Sequence, residues 1–208
     1  MKKLLTASIL VAMIMLSGCL SALYPLFTEK EIVFDPKLLG AWKGDSEGEI
    51  YTFQQGTPEL FKELPADLRK LSTKAYFLTV SDTKYDEDAQ RYYVFLARIG
   101  KHLYLDYYPA FVESQQEYAT IYRKSFVRMH SFYRLNPESN RDSMSMVRFA
   151  EGYLKDLINK KQIRIRHEKR IDGSYVITAP TEELQQYVLK YGDVNDAYTD
   201  KQTFNRIK

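Results

Sequence analysis

Cysteine is all but missing: Cys19 stands alone in 208 residues. With no second thiol the chain forms no internal disulfide and no thiolate metal cluster, so its stability must come from packing. Histidine is also scarce. His102, His130 and His167 are scattered, without H-x-H or H-E-x-x-H spacing, and separate strand or core positions are expected for them rather than convergence on zinc. No sign of charge dominates, since 30 Lys and Arg face 27 Asp and Glu, or 28 against 27 once Lys2 and Lys3 are set aside. That balance offers no basic footprint for nucleic acid. The longest apolar run, Leu4 to Leu16, holds about thirteen residues, short of the roughly 20 that cross a bilayer as a helix.

What is present begins at that run. Lys2 and Lys3 precede it, and the small residues Ser17 and Gly18 follow it directly before Cys19. A positive start, a short apolar stretch and a small-residue end make a secretory signal. Leu16-Ser17-Gly18-Cys19 resembles the lipobox of bacterial lipoproteins, read by prolipoprotein diacylglyceryl transferase and then by lipoprotein signal peptidase. The resemblance covers about the first nineteen residues. It implies a diacylglyceryl group on the Cys19 sulfur, cleavage before Cys19, and often a third acyl chain such as palmitate on the new amine. The alternatives are an ordinary signal with an incidental cysteine, or an uncleaved anchor. Each buried methylene contributes roughly 0.8 kcal/mol, so two or three chains hold a protein on a bilayer where one holds it marginally. Resemblance to Gram-negative lipoproteins further implies that Leu20, standing where an aspartate would retain the protein elsewhere, favours the outer membrane, with the body facing the periplasm or the exterior. The whole chain also looks like uncharacterised lipoproteins of bacterial envelopes, which implies no particular activity.

The expected organisation is a signal peptide over 1–18, lipidated Cys19 with an extended tether over 19–37, one globular domain over 38–192 and a loose polar tail over 193–208. Tyr24-Pro25 and Asp35-Pro36 bias the tether away from helix. Within the domain the pattern is mainly strand. Tyr93, Phe95, Ala97 and Ile99 alternate with Tyr92, Val94 and Leu96, which predicts a strand covered on both faces at the centre of the sheet. Gly100-Lys101 predicts a two-residue hairpin after it, Asp86-Glu87-Asp88 a turn before it, and Asp172-Gly173 a hairpin over 162–179. Helices are predicted over 57–72, capped by Thr57 and broken at Pro65, over 150–161, and over 181–191, capped by Thr181 and stopped by Gly192. The fold class expected is α+β, mainly antiparallel β, a curled sheet or partial barrel with two or three packed helices. Gly40-x-Trp42 resembles the start of lipocalin-like barrels, which implies a tryptophan plugging the barrel floor.

Several constellations could carry chemistry. Gly44-Asp45-Ser46-Glu47-Gly48 matches the nucleophile elbow G-x-S-x-G, but that motif needs a strand before and a helix after the serine. Here a strand follows, so a turn is expected and a serine hydrolase using Ser46 is a remote alternative. Asp82, Asp86 and Asp88 lack the glycine and final glutamate of a calcium loop. Lys160, Lys161, Arg164, Arg166, Lys169 and Arg170 form a basic cluster that could meet anionic headgroups, although such runs are usually solvated faces. Tyr76, Tyr92, Tyr93, Tyr104, Tyr107 and Tyr108 are the candidate lining of a ligand cavity, with ordinary core as the plainer reading. The expected function is therefore noncatalytic, an anchored envelope lipoprotein binding a small apolar ligand or, alternatively, docking on an envelope protein. No cofactor, metal or nucleic acid is expected.

Overall fold

The structure, a computed structural model, describes residues 20–45, 48–82, 85–110, 127–137 and 142–208. Cys19 and Ser46 lie outside the described residues. The strands are β1 (Ser21–Ala22), β2 (Gly40–Lys43), β3 (Glu49–Gln55), β4 (Tyr76–Asp82), β5 (Tyr85–Ile99), β6 (His102–Pro109), β7 (His130–Pro137), β8 (Ser143–Phe149), β9 (His167–Lys169), β10 (Tyr175–Ile177) and β11 (Tyr198–Arg206). The helices are α1 (Ala66–Arg69), α2 (Glu151–Asn159) and α3 (Thr181–Tyr191). Strands β2 to β8 pair antiparallel in sequence order, and β11 fits between β8 and β2. An eight-stranded antiparallel barrel of lipocalin-like form closes. On its side β1 pairs antiparallel with β7 and parallel with β10, and β9 completes this three-stranded flap.

Two cores lie back to back across the barrel wall, because side chains alternate between faces along each strand. Val94 and Leu96 of β5 enter the inner core with Trp42, Phe53, Leu78 and Phe204. Tyr93, Phe95, Ala97 and Ile99 enter an outer core, which Phe61, Leu154 and Leu184 cover from outside the barrel. The double-sided strand read from the sequence is thus the shared wall. Gly100 turns β5 into β6 at φ +60, with Ile99 facing His102 as the two-residue hairpin requires.

Five expectations need correction. The tail is a structural strand: β11 supplies the eighth stave, held by ladders to β2 and β8. Phe204 is its one fully buried apolar residue and, apart from Tyr198 at its start, its other side chains are polar, so the sequence carried little apolar signal. The tether is packed, not free, with Leu20, Ala22, Leu26 and Phe27 all buried against the outer core. The predicted helix over 57–72 shrinks to α1 and adjoining turns, because Pro65 starts α1 instead of continuing an earlier helix. Phe61 and Leu64 are nevertheless buried in that turn. Lastly, β5 begins at Tyr85, so Asp86, Glu87 and Asp88 lie in a strand and not in the turn. The cap of α3 also differs. Pro180 occupies the N-cap, and the Thr181 hydroxyl donates to the Pro25 carbonyl at 2.8 Å.

Candidate ligand cleft at the barrel floor

One end of the barrel is shut by a short piece of chain. Asp35 caps the 3-10 turn Pro36–Leu38 by accepting from the Lys37 amide at 3.0 Å. The Tyr76 hydroxyl accepts from the Asp35 amide at 2.7 Å and donates to its carbonyl at 3.0 Å. Burial pushes that phenol well above its usual pKa, so it stays protonated and keeps donating. Trp42 fills the floor beneath this turn. Its Nε1–H donates to the Leu38 carbonyl at 2.9 Å, and the Arg206 guanidinium lies 4.2 Å over its ring. Arg206 also donates to the carbonyls of Leu39, at 2.8 Å, and Lys37. Gly40, at φ +109, lets the chain leave the turn and enter β2, a conformation a side chain would strain.

Beside this plug lies a cleft of about 550 Å³, within the range of small-molecule sites. Trp42, Leu103, Leu135 and Met144 form its apolar wall, and all but Leu103 are buried. Lys37, Arg98 and Lys101 stand at its rim with one carboxylate, Asp35. Arg98 shares the inward parity of Val94 and Leu96 but comes where β5 ends, so its exposed head reaches the rim. Lys101 and His102 both bind Asp193, at 2.9 and 2.8 Å, and those hydrogen bonds hold the Asp193 carboxyl below the usual carboxylate range. An apolar wall under a cationic rim has the chemistry to hold an amphipathic acid.

None of the six candidate tyrosines lines this cleft. The barrel wall divides them. Tyr76, Tyr92 and Tyr107 face inward, whereas Tyr93, Tyr104 and Tyr108 face the outer layer. Tyr107 lies at the end of the barrel away from Trp42, 5.6 Å from Tyr92 and 4.8 Å from Tyr133 between ring centres. Its complete burial pushes its pKa far up. Tyr51 stands opposite Trp42 in the β2–β3 ladder and packs on Phe204 at 4.8 Å. Arg148, opposite Tyr133 and on the inward parity of Met144 and Met146, is ion-paired with Asp200, which a bulge in β11 holds at φ +52. Outside the wall, Tyr93 packs on Phe61 at 4.8 Å and Tyr104 stacks on Phe149 at 5.9 Å. Tyr108 stacks on His130 at 4.5 Å.

The histidines stay apart, each with its own partner. His130 Nδ1 meets Asp106 Oδ1 at 2.6 Å, and Asp106 Oδ2 accepts from the Leu26 amide at 2.8 Å, so this buried pair pins the N-terminal segment. His102 engages Asp193, and His167 Nδ1 meets the Ile165 carbonyl at 2.8 Å. Among the described residues no group of three or more His, Cys, Asp or Glu gathers to hold a metal. The six members of the basic cluster are all exposed, and Arg166 binds Glu183 at 2.8 Å. Sequence reasoning missed Lys37, Arg98 and Lys101. The available signal was Arg98 at an inward position next to the Gly100-Lys101 turn. Among the described residues no helix is long and apolar enough to cross a membrane. Comparison with family models, curated proteins and solved structures returned no match.

Proposed function

We propose that the chain is a noncatalytic envelope lipoprotein, anchored through acylated Cys19, whose body binds an amphipathic acid in the cleft at the barrel floor. The anchor rests on the lipobox resemblance of Leu16-Ser17-Gly18-Cys19. The ligand rests on one observation: a cleft of about 550 Å³ with Trp42, Leu135 and Met144 in its wall and Lys37, Arg98 and Lys101 at its rim, against Asp35 and the Asp193 carboxylate that Lys101 binds. The apolar tail of the ligand packs on the wall, where each methylene gains roughly 0.8 kcal/mol. Its anionic head meets Arg98, Lys37 and Lys101. The middle of the barrel is filled by its own side chains, with Phe53, Tyr76, Leu78, Leu96 and Leu105 each at most 2 % exposed, which favours the end over the centre as the place for a ligand.

Trp42 is the sole tryptophan and lines the cleft, so its fluorescence reports occupancy directly. Titration with dodecanoate is expected to shift the Trp42 emission with saturation. Arg98→Ala combined with Lys101→Ala is expected to weaken dodecanoate binding by tenfold or more, since a hydrogen bond to a charged group is worth about 1.5–3 kcal/mol, and to leave the binding of dodecanol unchanged. Emission that ignores both compounds would remove the ligand reading. Equal weakening for both would remove the role of the cations.

A further inference from the structure

The flap beside the barrel ends in an exposed hairpin tip, and its geometry relates that tip to the start of the described chain. In the parallel pair Ser21 faces Val176 and Ala22 faces Ile177. Running backwards along β1 therefore means running backwards along β10, from Val176 through Tyr175 towards the β9–β10 turn. That turn is Arg170 to Ser174, closed by the Arg170 amide donating to the Ser174 carbonyl at 2.8 Å. Leu20 is buried at this point of the outer core. The start of β1, to which Cys19 is joined through Leu20, and the hairpin tip therefore lie towards the same end of the flap.

The tip itself carries the pattern of a membrane contact. Ile171 has a relative exposure of 110 %, the highest among the exposed large apolar residues described. Nothing within the chain calls for an isoleucine there, because Asp172 and Gly173 already make the turn. Asp172 accepts from the Ser174 amide and hydroxyl at 2.9 and 2.6 Å, and Gly173 takes φ +81. Around the tip, residues 160–174 hold six basic side chains and two acidic ones, Glu168 and Asp172. The six basic side chains are exposed. Lys155 of α2 reaches the same turn, 3.3 Å from the Gly173 carbonyl.

We propose that the β9–β10 hairpin is a second point of contact with the bilayer, with Ile171 inserted among the acyl chains and Lys169 and Arg170 on anionic lipid headgroups. The inference rests on the reading of Cys19 as the anchor. A lipid surface suits the tip because the surplus of positive charge complements anionic headgroups and the single apolar side chain is presented at the end nearest the acylated residue. Two contacts fix the orientation of the body, where the acyl chains alone would leave it to pivot about its single attachment point.

The test uses the full acylated protein carrying Ile171→Cys, labelled with an environment-sensitive fluorophore, since a thioether on Cys19 leaves no other thiol. It is reconstituted in vesicles of phosphatidylcholine, alone or mixed with phosphatidylglycerol. The label at 171 is expected to emit to the blue and to be quenched by nitroxide lipids, more so with phosphatidylglycerol. The same label at Leu189, exposed on α3, is expected to emit as in water. Lys169→Ala with Arg170→Ala is expected to lower the immersed fraction, by about fivefold per charge in the immersion equilibrium. Unchanged Trp42 emission and urea midpoint confirm that the variants fold. A label at 171 that stays in water on both vesicles, or that crosslinks to a protein instead, overturns the proposal. Intact mass separates this failure from that of the anchor. If Cys19 proves bare, the anchor reading falls, and the unacylated protein carrying Cys19→Ser beside Ile171→Cys, mixed with the same vesicles, still decides the hairpin: quenching at 171 sustains it and its absence overturns it.

Discussion

Trp42 joins the floor of the barrel to the last strand. Its indole buries against the inner core, its Nε1–H satisfies the Leu38 carbonyl, and Arg206 stacks over its face. Trp42→Ala is expected to lower stability by about 3–5 kcal/mol, the usual cost of removing a large buried ring, read as a drop in the urea midpoint. Arg206→Ala removes a cation–π contact and the donors to two backbone carbonyls, with an expected cost of about 1–3 kcal/mol. Should Arg206→Ala leave the midpoint where it was, the guanidinium is a surface ornament and not a clamp. Gly56 shows a different constraint. A Cβ there would lie 2.4 Å from the Ser72 carbonyl oxygen and 2.7 Å from the Phe61 ring. Gly56→Ala should therefore disturb the turn that buries Phe61, visible as faster amide exchange over residues 57–74.

At the level of elements, helix α3 clasps the N-terminal segment. Thr181 holds the Pro25 carbonyl, and the Gln185 amide donates to the Leu26 carbonyl and the Glu31 carboxylate, both at 3.1 Å. Glu31 also accepts from the Thr28 amide and hydroxyl, each at 2.7 Å. Burial alone would raise the Glu31 pKa, but the hydrogen bonds from Thr28 and Gln185 outweigh it and hold the carboxyl below its ordinary 4.5. A carboxyl depressed in the folded state stabilises fully above its unfolded pKa, and that stabilisation is lost as pH falls through the folded value. Protection of the amides over residues 25–34, taken relative to their intrinsic exchange at each pH, is therefore expected to fall on acidification below the ordinary carboxylate range, and Glu31→Gln should abolish that fall. An identical pH profile in the variant would assign the clasp to other groups. Strand β11 is the second element with a disproportionate role. Ending the chain at Val194 removes both ladders that close the barrel, exposing the edges of β8 and β2, and aggregation in place of a cooperative unfolding transition is expected.

For the molecule as a whole, the two cores share one wall, so the inner and outer layers should unfold together. Binding at the floor then stabilises everything. Dodecanoate at 100 times its dissociation constant is expected to add about 2.7 kcal/mol, provided it binds the folded state alone, and scanning calorimetry would register the rise. A melting temperature insensitive to dodecanoate would count against the cleft as its site. The division of the tyrosines has a consequence on this scale too. Tyr93, Tyr104 and Tyr108 serve the packing of helices and the N-terminal segment on the barrel, so their truncation should cost stability without touching ligand affinity.

The sequence by itself determined the local matters. Alternation along β5, the Gly100-Lys101 and Asp172-Gly173 turns and helices α2 and α3 were legible because each depends on neighbours a few residues apart, whereas the Trp42 plug was implied only by the resemblance of Gly40-x-Trp42 to lipocalin-like barrels. The predominance of antiparallel strands followed from the same short-range patterns. The curling of the sheet into a barrel was expected, but the recruitment of β11 as its closing strand and the burial of residues 20–27 were not legible, since each depends on pairings between distant segments that leave weak traces in any one of them. Nor did tyrosine content reveal which side of the wall each ring faces, because two apolar faces look alike in a strand buried on both. The cleft is the clearest case. Lys37, Arg98 and Lys101 are unremarkable in the chain, and they gather over Trp42 only because the barrel brings the end of β5 and the β5–β6 turn to the 3-10 turn before β2.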